Sequence, residues 1–111
     1  WEHGSWQHAQ SYYEDQVHVP LLIHMPGQTE SVTVDTPVSL LDVMPTLIEV
    51  CGLECPDVRG RSLAPLLQGD VDRIEPVPFF IECRARGGIQ KALLVGDHKL
   101  IYDVYFDRWE L

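Results

Sequence analysis

Four histidines fall within the first twenty-four residues, His3, His8, His18 and His24, interleaved with Trp1, Trp6, Tyr12 and Tyr13. Imidazole offers proton transfer near neutral pH, an N–H donor for developing charge, or a metal ligand. The spacings between these histidines, 5, 10 and 6 residues, match no compact ligand motif, so a shared zinc-type site is disfavoured. His3 sits in a Glu-His-Gly turn and can either line a pocket or cap local backbone. His8 stands free in a polar, aromatic stretch, where an imidazole is open either to a ligand or to a backbone carbonyl. Tyr12, Tyr13, Trp1 and Trp6 either flank a ring-shaped ligand or make core contacts. Lys91 and Lys99 lie in an apolar C-terminal run, where a lysine is a solvated charge or a contact for an anionic ligand.

The cysteines add little. Cys51, Cys55 and Cys83 cannot all pair within one chain, and no C-x-x-C is present. They read as buried free thiols acting as small hydrophobes. Within 111 residues there are 17 acids against 8 bases, a formal charge of −9. That balance excludes nucleic acid as a partner, because phosphate contacts need clustered Lys and Arg. It disfavours an anionic membrane surface too. No apolar run approaches the roughly 20 residues of a membrane span, and no signal-peptide pattern is present. A hydrophobic content of 45% with 23% charged residues is that of an ordinary folded domain. Opening on Trp1 and closing on Trp109-Glu110-Leu111, the sequence reads as a piece of a longer chain.

The histidine-rich opening leads into Val19-Pro20-Leu21-Leu22-Ile23, which stops at Pro26-Gly27. A short apolar run bounded by prolines predicts a strand buried on both faces, with the preceding loop at the end of a sheet. Ser31–Val34 alternates with β-branched residues and predicts a second, half-buried strand. Ser39 to Gly52 predicts a helix with Ser39 as N-cap, Gly52 at C′ and Pro45 imposing a kink or tight first turn. So apolar a helix should pack on a sheet. A second short helix is predicted over Ser62 to Gln68. The acidic, proline-containing stretch Gly69 to Pro78 marks a boundary. Beyond it three strands are predicted, Phe79–Cys83, Lys91–Val95 and Lys99–Val104, the last two joined by a Gly96-Asp97 hairpin turn. A basic loop, Arg84 to Gly88, lies between the first two.

Taken together these segments resemble the C-terminal portion of the type I sulfatases of the alkaline phosphatase superfamily. Glu2-His3-Gly4, His8, Tyr13-Glu14, Val19-Pro20-Leu21 and Pro26-Gly27 occur in that family's order. Pro37 to Leu47 resembles its Pro-Val-Ser-Leu-x-Asp-x-x-Pro-Thr-Leu helix. Gly52-Leu53, Gly60 to Leu67, Gly96 to Tyr102 and the terminal Trp109-Glu110-Leu111 follow in sequence. The resemblance extends over nearly the whole chain.

The resemblance implies an α/β fold: residues 1–77 as the C-terminal part of an alkaline-phosphatase-like sheet domain with covering helices, and residues 78–111 as the start of a small antiparallel β subdomain. It implies that the longer protein hydrolyses sulfate esters of a small molecule or glycan, with a formylglycine nucleophile and calcium. Both would be supplied by residues upstream of Trp1, leaving no metal ligand in this chain. Cys55-Pro56-Asp57-Val58-Arg59 only superficially resembles the nucleophile motif, because its proline comes one position early. His8 is then the catalytic residue, acting at the ester oxygen, and His3, Tyr12 and Lys91 are substrate-binding. The piece alone should be inert and prone to self-association. The alternatives are a phosphonate or phosphate ester hydrolase on the same scaffold and a non-catalytic acidic interaction module. The resemblance favours an extracytoplasmic setting.

Overall fold

The computed structural model describes residues 11–85 and 88–111; the side chains of residues 83–88 are outside that description. The chain forms α1 (Glu14–Val17), a 3₁₀ turn (Leu40–Asp42) continuing as α2 (Val43–Val50), α3 (Ala64–Leu67), β1 (Phe79–Ala85), β2 (Gly88–Val95), β3 (His98–Asp103) and β4 (Arg108–Glu110). It divides into two compact units. One joins the chain up to Leu22 with Val77–Leu111, and the other is Ile23–Pro76.

In the first unit the four strands form an antiparallel sheet in chain order. Its register aligns Ile81 with Ala92 and Ala92 with Ile101. Since side chains alternate across a sheet, these three share one face. Tyr12 packs there in the core, joined by Tyr13, Val17 and Leu94. Ala92 is 1% exposed. Glu14 and Asp15 favour the positive start of α1, a helix not anticipated from the sequence. Lys99 Nζ fastens α1 to β3 by donating to the Tyr12 carbonyl at 3.1 Å and to the Glu14 carboxylate. The opposite sheet face carries Phe80, Leu93, Val95 and Trp109, all exposed. Gly96, at φ 57°, makes the expected hairpin turn. Strand β4 was not expected. It follows a turn in which Asp103 Oδ1 accepts the N–H groups of Tyr105 and Phe106 at 2.9 and 3.1 Å, and Asp107 adopts φ 48°. Such a carboxylate-capped turn reverses the chain without glycine.

The second unit is built around Asp42 and Thr46, each 2% exposed. Ser39 and Asp42 form a capping box: Ser39 Oγ accepts from Leu41 N–H, and Ser39 N–H donates to Asp42 Oδ2 at 2.9 Å. The other carboxylate oxygen, Oδ1, accepts the Arg61 N–H at 2.9 Å. Thr46 Oγ1 donates to the Asp42 carbonyl and accepts from Leu63 N–H at 2.8 Å. Gly60 lies so close to Leu41 that an added Cβ would be 1.9 Å from its carbonyl oxygen. Pro45 falls in the first turn of α2, where its missing N–H costs little, and Gly52 closes the helix at φ 69°. Thus the expected tight first turn forms, beginning as a 3₁₀ segment.

Several expectations are corrected. Val19–Ile23 joins no ladder, and Leu22 is 88% exposed. A doubly buried strand needs neighbours on both edges, and among the described residues none pairs with it. Ser31–Val34 is likewise unpaired, with Val32 exposed. The α2 stripe of Leu40, Met44 and Leu47 is exposed rather than packed on a sheet. Cys51 and Cys55 are free and exposed, not buried. Cys51 follows the last turn of α2 and Cys55 lies in an open loop, so neither is enclosed. The second helix is one short turn, preceded by Ser62 Oγ accepting from Ala64 N–H at 3.0 Å.

Candidate functional site

His3 and His8 lie outside the described residues. Tyr12 is in the sheet-unit core against Ala92 and Ile101. Lys91 projects from the other face, where its Nζ sits 3.1 Å from Glu82 Oε1 in a half-exposed cross-strand ion pair. The sheet therefore stands between Tyr12 and Lys91. His18 is exposed, with Nδ1 3.9 Å from the Glu14 carboxylate one helical turn back, and His24 is exposed.

The polar groups that do converge are, apart from Tyr13, not among the candidate site residues of the sequence. Tyr13, Gln90, Asp103, Phe106, Arg108 and Glu110 line an open hollow beside β4. Tyr13 donates its phenol proton to Glu110 Oε2 at 2.8 Å. That bond raises the Tyr13 pKa; burial and the Glu110 charge add to it, and Arg108 opposes it. Gln90 Nε2 donates to Asp103 Oδ2 at 3.0 Å. This bond and the amides of Phe106 and Tyr105 hold the Asp103 carboxyl below its ordinary pKa, against desolvation. On the outer face Tyr102 and Trp109 stack with centroids 4.0 Å apart, and the Tyr102 hydroxyl donates to Asp107 at 3.0 Å.

This chemistry is positional. A phenol whose pKa is raised keeps its proton at neutral pH, and a carboxylate already accepting three N–H groups is a poor base. Among the described residues that line this hollow there is no Ser, Thr, Cys or His. Asp103, Asp107 and Glu110 each accept hydrogen bonds from the protein. Among the described residues no group of three or more His, Cys, Asp or Glu is placed to hold a metal ion. In the sequence Tyr13 belongs to the aromatic opening. Its partner Glu110 lies 97 residues away, and no local pattern announces such a bond.

A family described as N-sulphoglucosamine sulphohydrolase, C-terminal, matches residues 1–111. The chain belongs to that sulfatase family. It is 35% identical over 105 residues to choline-sulfatase of Rhizobium meliloti (strain 1021), which covers 91% of this chain and 20% of that protein. It is 37% identical to arylsulfatase K of Xenopus laevis, over 65% of this chain and 15% of the relative. With steryl-sulfatase of Mus musculus it shares 40% identity, over 66% of this chain and 12% of the relative. The chain thus spans a fifth or less of the curated relatives it matches. No solved structure gives a significant match.

Proposed function

We propose that these 111 residues are the C-terminal portion of an alkaline-phosphatase-like enzyme that hydrolyses sulfate esters, and that His8 is their contribution to its reaction. The observation that carries the reading is the family match along residues 1–111 together with three relatives named as sulfatases. The resemblance in the His3–Gly27 stretch assigns a formylglycine nucleophile and calcium to other parts of such an enzyme. On this reading both would come from residues upstream of Trp1. His8 would present an N–H to the bridging ester oxygen, where negative charge grows as the sulfur–oxygen bond breaks. His3 would line the same pocket. Tyr12 would act through its position, holding the end of the His8 segment against β2 and β3. Lys91, on the opposite face, would meet only an anionic part of a substrate reaching that face.

The isolated chain should not turn over 4-nitrophenyl sulfate with or without calcium; turnover there would overturn this division of labour. In the longer enzyme, His8→Ala should lower kcat roughly 10²-fold, the low end for a lost proton donor. The loss should be larger for an alkyl sulfate than for 4-nitrophenyl sulfate, whose leaving group needs no proton. Equal losses for the two would remove His8 from the ester oxygen.

A further inference from the structure

Arg61 is anchored more firmly than its side chain is used. Its own N–H is held by Asp42 Oδ1, Gly60 before it lies against the Leu41 carbonyl, and Leu63 after it is bound by Thr46. The backbone cannot shift to follow the side chain. A guanidinium carries five N–H donors and no acceptor. Nη1 donates to the Glu75 carbonyl oxygen. Nε and Nη2 are shut off from solvent and have no hydrogen-bond partner among the described residues.

Those two nitrogens share one edge of the guanidinium, and their N–H bonds run nearly parallel. That is the fork which takes both oxygens of a carboxylate, or two of a sulfate or phosphate. A buried cationic donor edge left empty is costly, so native structures fill it. The carboxylates nearby do not. Asp42 has both oxygens engaged by backbone N–H groups, and Asp70, Asp72 and Glu75 are exposed. The stretch Asp70–Pro76 is rooted where Asp70 and Val71 N–H donate to the Pro65 carbonyl at 2.8 and 3.3 Å. The Arg61–Glu75 bond ties it at its other end.

We propose that the Nε/Nη2 edge of Arg61 is a receptor for a small oxyanion. The inference stands apart from ester hydrolysis and does not depend on it. It is tested on the whole chain by following the Arg61 Nε–H resonance in ¹H–¹⁵N spectra. Sodium formate, sulfate and phosphate are titrated separately against sodium chloride at equal ionic strength. The expected result is a saturable shift at Arg61 with an oxyanion and none with chloride. Saturation by formate alone identifies a carboxylate occupant, and saturation by sulfate or phosphate a tetrahedral one. An Arg61 signal that moves no more than those of Arg59 and Arg73, or moves equally in chloride, overturns the proposal. Arg61→Lys keeps the charge but not the fork. The response of the surrounding backbone amides should then need about tenfold more oxyanion; an unchanged response overturns the proposal as well.

Discussion

The two units are held together by opposite means. In the sheet unit the contacts are apolar: Tyr12, Ala92 and Ile101 meet under one face, and polar links such as Lys99–Glu14 and Tyr13–Glu110 sit around them. In the helical unit the buried centre is polar: Asp42 and Thr46 bind backbone groups of Ser39, Arg61 and Leu63. The contrast explains what the family-like motifs are for. Ser39, Asp42, Thr46 and Gly60-Arg61-Ser62-Leu63 carry much of the resemblance. In the structure they clasp a loop to a helix rather than converge on a substrate. A motif can identify a family through its joinery.

The contrast can be broken from either side. The largest effect should come from the apolar side. Ile101→Ala removes most of a buried side chain and should cost about 3 kcal/mol, read by urea denaturation and by faster hydrogen exchange of β2 and β3 amides. Next is Gly60→Ala in the helical unit. Its new methyl must displace the Leu41 carbonyl, so about 2 kcal/mol of overpacking is expected, with exchange accelerated at the Arg61 and Leu63 amides. Neutral stability would mean that the Leu41 carbonyl does not crowd Gly60. Thr46→Val keeps the shape but strands the Leu63 N–H, for about 1–2 kcal/mol. If it matched Ile101→Ala, the polar clasp would outweigh the apolar seam.

The smallest effect is a pH dependence. Asp103 has a lowered folded pKa, so its unfolded form binds a proton first as the pH falls. Its stabilisation is present above about pH 4 and is lost as the pH drops through the folded value. Asp103 is largely solvated, so the amplitude is small. Asp103→Asn should flatten this part of the acid limb; an unchanged limb would mean that the turn amides do not depend on the charge.

Features set by neighbours in sequence were legible. Ser39 and Gly52 bracket the helix, Gly96 makes the hairpin turn, and the three longer strands overlap the expected Phe79–Cys83, Lys91–Val95 and Lys99–Val104. Features set by distant partners were not. Val19–Ile23 has the composition of a buried strand, but pairing is a property of two segments, and one segment cannot reveal it. Strand β4 is only three residues long, too short for a period, and its turn rests on the Asp103 carboxylate. In the candidate site, the resemblance implies substrate contacts for Tyr12 and Lys91. Which face each occupies depends on register, where one residue of slip exchanges the faces. His3 and His8, the residues the functional reading leans on most, lie outside the described residues.

Strand order equal to chain order has a consequence for synthesis. Each strand pairs with the one made just before it, so the sheet can be laid down hairpin by hairpin as the polypeptide leaves the ribosome, with little loop entropy lost at any step. The Tyr13–Glu110 bond is different, because its acceptor is translated 97 residues after its donor. Tyr13 must wait for the last of the four strands before that tie can close.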